Sequence, residues 1–248
     1  MPRTLAIGDI HGCDVALDAL LELVAPAGGD LVVVLGDVVD RGPGSKQAID
    51  RLLALRDACR LVFLQGNHED MLLRAIDGEG WIAPWLEFGG YETLRSYGAV
   101  GKRDGLLRRS LARVFAGRPQ RLPSEHVEFL RAALPWFETD DAIFVHANLE
   151  PGVPLDRQKP DWLLWKHLTG DERPHPSGKR VVCGHTSQKH GCPVTLDGWV
   201  CIDTHAYGGQ RLTCLDVATD TVWQTSQEGE AFGPRRLSDI ARPFDRRG

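Results

Sequence analysis

The chain has 248 residues, 42% of them apolar, enough for one large domain or two small ones around an ordinary buried core. Its 29 basic and 34 acidic residues give a formal charge of -5, which argues against a surface built to coat nucleic acid. No run of 18 apolar residues and no cleavage-like leader occurs, so neither a membrane span nor a signal peptide is expected.

In chain order, Leu5 to Ile7, Leu31 to Leu35 and Leu61 to Leu64 are short apolar runs, each followed by a helical pattern, which reads as a βαβαβ opening. Leu17, Leu20, Leu21 and Val24 recur at helical spacing, and Pro26 with Gly28-Gly29 ends that segment. Ser45 is the expected N-cap of a second helix carrying Ile49, Leu52 and Leu53 on one face. Residues 76–138 turn to tryptophans, basic residues and helical patterns that include Val127, Leu130 and Leu134, the signature of a helical insertion or cap without a clear strand.

Strand-like runs return at Ala142 to Val145, Arg180 to Cys183, Val200 to Ile202, Leu212 to Val217 and Thr221 to Trp223, with Asp197-Gly198 as a hairpin turn. Residues 225–248, charged and aperiodic with Pro234 and Pro243, read as a tail draped over the surface or mobile. The six cysteines form no CxxC pair, so reduced thiols in or near the core of a cytoplasmic protein are expected.

Five blocks repeat one chemical theme at or just after strand ends: Gly8-Asp9-Ile10-His11-Gly12, Gly36-Asp37-Val38-Val39-Asp40-Arg41-Gly42, Gly66-Asn67-His68-Glu69, His146-Ala147-Asn148 and Gly184-His185-Thr186. Ligands of open α/β sheets bind beyond the carboxyl ends of the strands, so separate loops deliver these side chains to one crevice. Asp9 and His11 suit one ion, and Asn67, His146 and His185 a second, with Asp37 as the bridge. The mixed carboxylate and imidazole set fits Mn, Fe or Zn better than Ca or Mg. Two such cations about 3.5–4 Å apart make a shared water hydroxide-like, the expected nucleophile.

His68 follows a candidate ligand and is placed to act as general acid, oriented by Asp40; the bland alternative pairs Asp40 with Arg41 on a turn. The guanidinium of Arg41 can clamp two oxygens of a phosphoryl group. No GxxxxGK[ST] loop occurs.

Over Thr4 to Val217 the order of these blocks resembles the phosphoprotein phosphatase group of calcineurin-like metallophosphoesterases, particularly its compact bacterial and phage serine/threonine phosphatases. The resemblance implies an α/β (α+β) fold in which two β-sheets form a sandwich flanked by helices, here a single domain over 1–248 carrying the insertion. It implies two divalent ions, manganese first with iron or zinc as alternatives, and hydrolysis without a phosphoenzyme. It assigns Asp9, His11, Asp37, Asn67, His146 and His185 as ligands, Asp40 with His68 as the acid pair, and Arg41 as a phosphate contact.

Two positions depart from the pattern. Lys166 stands after Leu164-Trp165 where relatives carry a phosphate-binding arginine, a point charge in place of a fork. His205 stands where relatives show glycine, and either lines the substrate mouth or is a solvated loop residue. Arg41, Asn67, Lys166 and His205 are therefore the expected substrate-facing residues.

The leading expectation is a serine/threonine protein phosphatase acting on a phosphorylated protein or a small phosphate ester. Hydrolysis of symmetrical dinucleoside tetraphosphates is the alternative, and a non-catalytic metal-dependent scaffold the third. Specificity is expected in the insertion, where Trp81, Trp85, Arg103, Arg108 and Arg109 are either cap contacts or core and surface.

Overall fold

A computed structural model describes residues 2–99 and 122–245. Two six-stranded sheets face each other. In the first the order is β11-β10-β9-β1-β2-β3, and in the second β12-β7-β8-β6-β5-β4. Strands β1 (Thr4–Ile7), β2 (Leu31–Val34) and β3 (Arg60–Phe63) are parallel, joined by helices α1 (Asp14–Val24) and α2 (Ser45–Ala58). On the other side of β1, strands β9 (Arg211–Asp216), β10 (Thr221–Ser226) and β11 (Ala231–Arg236) add antiparallel.

The second sheet holds β5 (Ala142–Val145), β6 (Arg180–Cys183) and β8 (Trp199–Cys201) in parallel, with β4 (Trp136–Glu138) antiparallel at one edge. Strand β7 (Val194–Leu196) forms the hairpin with β8 across Asp197-Gly198, where Gly198 takes φ +76°.

The apolar runs are continuous because both sheet faces are covered. Leu5, Ile7, Val32 and Val34 pack outward against α1 and α2, while Ala6, Val33, Leu35 and Val62 point inward. There they meet Phe144, Val182 and Val200 of the second sheet. The other face of that sheet, with Ile143, Val145 and Val181, is covered by Leu163 and Leu164 of the helix Pro160–Trp165.

The sequence expectations need correction in three places. Ser45 is not the cap of α2; Gly44 is, and the Ser45 hydroxyl accepts from Asp40 N instead. The span 76–138 contains helices at Ile82–Trp85, Tyr91–Ser96 and Ser124–Arg131 and a π-helical turn (Leu86–Gly90), but its far end is strand β4. Three residues of an edge strand are too short to show an alternation.

The tail is built into both sheets. Strand β11 extends the first sheet, Leu237 and Ile240 enter the core between the sheets, and β12 (Arg242–Pro243) pairs with β7. Its burial rests on two residues beside a largely exposed edge strand, so no apolar period marks it.

All six cysteines are free, five of them buried. Among the described residues no helix is long and apolar enough to cross a membrane.

Candidate metal centre

The five blocks leave β1, β2, β3, β5 and β6 at their carboxyl ends, so their side chains gather at one rim of the sandwich. The backbone there is strained. His11, Asp37, Asp40, Arg41 and His185 have φ of 47°, 50°, 72°, 69° and 60°, in the left-handed region that side chains avoid. Such residues persist where the surroundings over-determine them, and each costs about 1–3 kcal/mol. Glycines admit the carboxylates. A Cβ at Gly66 would collide with Asp37 Oδ1, and one at Gly184 with Asp9 Oδ1.

The candidate ligands form one connected group. His11 Nε2 lies 3.4 Å from Asp37 Oδ2, and His146 Nε2 lies 3.6 Å from Asp37 Oδ1. Asn67 Oδ1 is 3.1 Å from both His146 Nε2 and His185 Nδ1. Asp9 joins through its carboxylate, which accepts from His185 N at 3.1 Å. Among the described residues two sets bring one donor atom per residue within 4.8 Å: His11, Asp37 and His68, and Asp37, His146 and His185. His68 thus stands in the first set where Asp9 was expected.

The hydrogen bonds on the far side of each ring test whether metal ions fit. His11 Nδ1 and His146 Nδ1 donate to the carbonyls of Val39 (3.0 Å) and Leu35 (2.8 Å), and His185 Nε2 to that of Trp165 (3.2 Å). Carbonyls only accept, so the opposite nitrogen of each ring presents a lone pair.

The lone pairs of His146 and His185 converge on Asn67 Oδ1, itself an acceptor, an arrangement that a cation satisfies, while that of His11 faces Asp37 and accepts from Arg41 Nη1. Burial pushes all three imidazoles down, His185 to about 3 and His11 well below its ordinary value, leaving them neutral. Burial, then Asp203 and Asp37, drives the Asp9 carboxyl well up, the signature of crowded acidic groups that positive charge would relieve.

His68 is fully buried, and its Nδ1 donates to Asp40 Oδ2 at 2.7 Å. Burial lowers the ring, but Asp37 and Asp40 outweigh it and hold His68 above the usual imidazole value. Its Nε2 is buried with no hydrogen-bond partner among the described residues. An unpaired buried nitrogen costs about 1–3 kcal/mol, which a reacting oxygen would satisfy.

Sequence reading missed the surroundings of Asp40 and Asp37. Trp85 Nε1 donates to both Asp40 oxygens, at 3.0 and 2.9 Å, and Thr93 Oγ1 donates to Oδ1 at 2.6 Å. Thr93 Oγ1 and Ser45 Oγ in turn accept from Asp40 N. Glu69, quoted in its block but given no task, accepts from the backbone N–H groups of Gly66, Asp37 and Val38 at 2.8–2.9 Å. The reach back to Gly66 is the third-position half of a capping box, the one sequence signal that could have found it.

Arg41 reaches the centre: Nη1 donates to His11 Nε2 at 3.0 Å, and its guanidinium stacks 4.5 Å from the Tyr207 ring. Tyr207, unremarked in the sequence, also meets the His11 ring edge-on at 4.8 Å. His205 meets the Tyr207 ring at 4.5 Å, and its Nδ1 bonds Ser187 Oγ. Its φ of 62° explains why a glycine suits that position.

Lys166 is exposed, with Nζ 5.4 Å from the Trp162 ring, and touches none of the candidate ligands through a described contact. Trp81 is partly buried under Arg74. Arg103, Arg108 and Arg109 lie outside the described residues.

The sequence profile of the calcineurin-like phosphoesterases matches residues 2–198. The symmetrical bis(5'-nucleosyl)-tetraphosphatase of Paracidovorax citrulli is 36% identical over 143 residues, which cover 57% of this chain and 48% of that protein. The match therefore spans about half the length of that relative. The asymmetrical bis(5'-nucleosyl)-tetraphosphatase PrpE of Geobacillus thermodenitrificans is 28% identical over 234 residues, covering 84% of this chain and 88% of the relative. A crystal structure provisionally assigned as a diadenosine tetraphosphatase superposes with a TM-score of 0.63, covering 91% of this chain and 95% of that one. At 22% identity that likeness is one of fold.

Proposed function

The chain belongs to the calcineurin-like phosphoesterase family and is a hydrolase of phosphate esters, and we propose that its substrates are bis(5'-nucleosyl) tetraphosphates. The observation that carries the hydrolytic reading is the convergence of His11, His146 and His185 on Asp37, where His68 Nε2 is buried and without a hydrogen-bond partner among the described residues. Tetraphosphatase relatives, one of them matched over 88% of its length, support the dinucleotide over the phosphoprotein.

Asp9, His11 and Asp37 would hold one divalent ion and Asp37, Asn67, His146 and His185 another. Bound ions supply Lewis acidity toward phosphoryl oxygens and activation of water. Arg41, freed from His11 Nε2, turns its planar fork to two phosphoryl oxygens and keeps Tyr207 beneath it. As water oxygen bonds to phosphorus and the far P–O bond breaks, His68 Nε2–H gives its proton to the departing oxygen. Asp40 holds the other ring nitrogen and steadies the imidazolium before transfer.

One observation favours the phosphomonoester reading. A dedicated buried acid helps a poor leaving group such as a serine alkoxide more than a phosphate released from an anhydride. Rates on diadenosine tetraphosphate and on a phosphoserine peptide, measured side by side with manganese, decide between them. The proposal expects the dinucleotide to be preferred, with products (two ADP, or ATP and AMP) fixing the bond cut. A higher kcat/KM for the peptide overturns it.

A further inference from the structure

A cavity of about 440 Å³ lies between the loop 148–154, which follows the candidate ligand His146, the loop 169–176, the helix Pro160–Trp165 and Trp199. That volume falls within the span of small-molecule sites, about 300–1,000 Å³. Its walls are tied to the centre by hydrogen bonds. Ala147 N and Asn148 N donate to the carbonyls of Leu163 and Trp162, and the carbonyl of Trp165 accepts from His185 Nε2.

We propose that this cavity binds one nucleoside of the substrate, an inference that rests on the dinucleotide reading. Trp162 is half-buried and offers a ring for base stacking, a mode open to every base because each has a π-face. Trp199 backs the cavity, 5% exposed and fixed by its N–H to Arg173 O.

The charge pattern separates nucleoside from phosphate. Glu150, Asp171 and Glu172 outnumber Lys166 and Arg173 in the lining, which therefore disfavours phosphate yet suits ribose hydroxyls and exocyclic amines, which donate. Glu172 is already set, accepting from Thr169 N, Gly170 N and Asn148 Nδ2. Glu150 Oε2 has no hydrogen-bond partner among the described residues. Lys166, its Nζ 5.4 Å from the centre of the Trp162 ring and itself in the lining, is the cation that would meet the phosphates as they leave the cavity. Specificity on this reading lies after His146, not in the 76–138 insertion.

The test compares kcat/KM for diadenosine tetraphosphate with that for p-nitrophenyl phosphate, in manganese-loaded wild type, Trp162→Ala and Val153→Phe. The first variant removes the stacking ring and the second adds bulk to the cavity from another lining residue. The expected result is a dinucleotide-to-aryl ratio at least tenfold lower in both variants, with KM for the dinucleotide carrying the loss. A ratio unchanged in both, in a protein whose wild type hydrolyses the dinucleotide, overturns the nucleoside site alone. A wild type that hydrolyses only the aryl ester overturns the substrate reading and the site with it.

Discussion

Trp85 holds Asp40 from a distance of 45 residues, its single indole N–H lying 3.0 and 2.9 Å from the two carboxylate oxygens. With Thr93 it belongs to the 76–99 segment, so part of the insertion anchors the carboxylate that orients His68.

A Thr93→Val substitution removes the 2.6 Å donor to Asp40 Oδ1 while keeping the side-chain volume. The expected outcome is a fall in kcat of about tenfold with KM little changed, because His68 loses its fixed aim. Thr93→Ser keeps the hydroxyl and should restore most of the loss. Steady-state kinetics on the three proteins checks this, and a Ser variant as slow as the Val one would contradict the hydroxyl's role.

His68→Ala should lower kcat by about 10²–10⁴ on an alkyl phosphate ester, the range for loss of a positioned acid, and by less on a dinucleoside tetraphosphate. Metal content by elemental analysis should match wild type, since Asp40 takes one ring nitrogen and the other is left for substrate. Equal losses on both substrates would count against protonation of the leaving oxygen.

Glu69→Gln swaps one accepting oxygen for an amide that donates toward the N–H groups of Gly66, Asp37 and Val38. Burial, then Asp37, lifts the Glu69 carboxyl to about 7 against the pull of those N–H groups, so it is a strained hub already. The variant should lose roughly 2–4 kcal/mol of stability and hold metal about 10–100-fold less tightly. Denaturant midpoints and a chelator titration read the two effects separately.

Hydrogen bonds from the Arg3 guanidinium and, more weakly, from backbone N–H groups hold Asp30 down at about 2, outweighing its burial. An unfolded aspartate titrates near about 3.9. The folded state thus binds its proton less readily, and the stabilisation is full above about pH 4 and fades as pH falls through about 2. Discounted for the partly exposed Arg3, it is about 1–2 kcal/mol at pH 7. Asp30→Asn should therefore melt lower than wild type at neutral pH, and the gap should shrink toward pH 2. A gap independent of pH would assign the loss to packing.

Chelation should lower the melting temperature and readdition of manganese restore it. Saturating ligand at about 100 times its Kd stabilises by about 2.7 kcal/mol per site. Asp9, Asp37 and Asp203, crowded and buried, give the metal-free protein a further reason to loosen. A melt indifferent to chelator would argue against ions at these groups.

The parallel strands and the residues the structure gathers around Asp37 were legible because both are written locally. Strands covered on both faces are apolar throughout, and the five blocks carry their donors within a few residues of a strand end. What was not legible depends on distance. Asp40 meets Trp85 and Thr93 across 45 and 53 residues, and neither type announces a partner. Ser45 looked like a helix cap because it precedes an apolar face, but its hydroxyl serves Asp40 N. Strand β11 lies exposed at an edge, so tertiary pairing and not an apolar period defines it.

Strand β1 sits between β2, some 27 residues along the chain, and β9, whose Asp216 pairs with Leu5. The loop that must close before β1 gains its second neighbour therefore spans most of the polypeptide. Such long-range pairings slow folding. On the ribosome, Asp9 and His11 emerge long before Asp216, and the strand that carries them stays half-paired until synthesis has passed that residue. Until then one side of β1 is an open template for other chains, and the emerging protein depends on partial order or on chaperones to keep that edge from pairing wrongly.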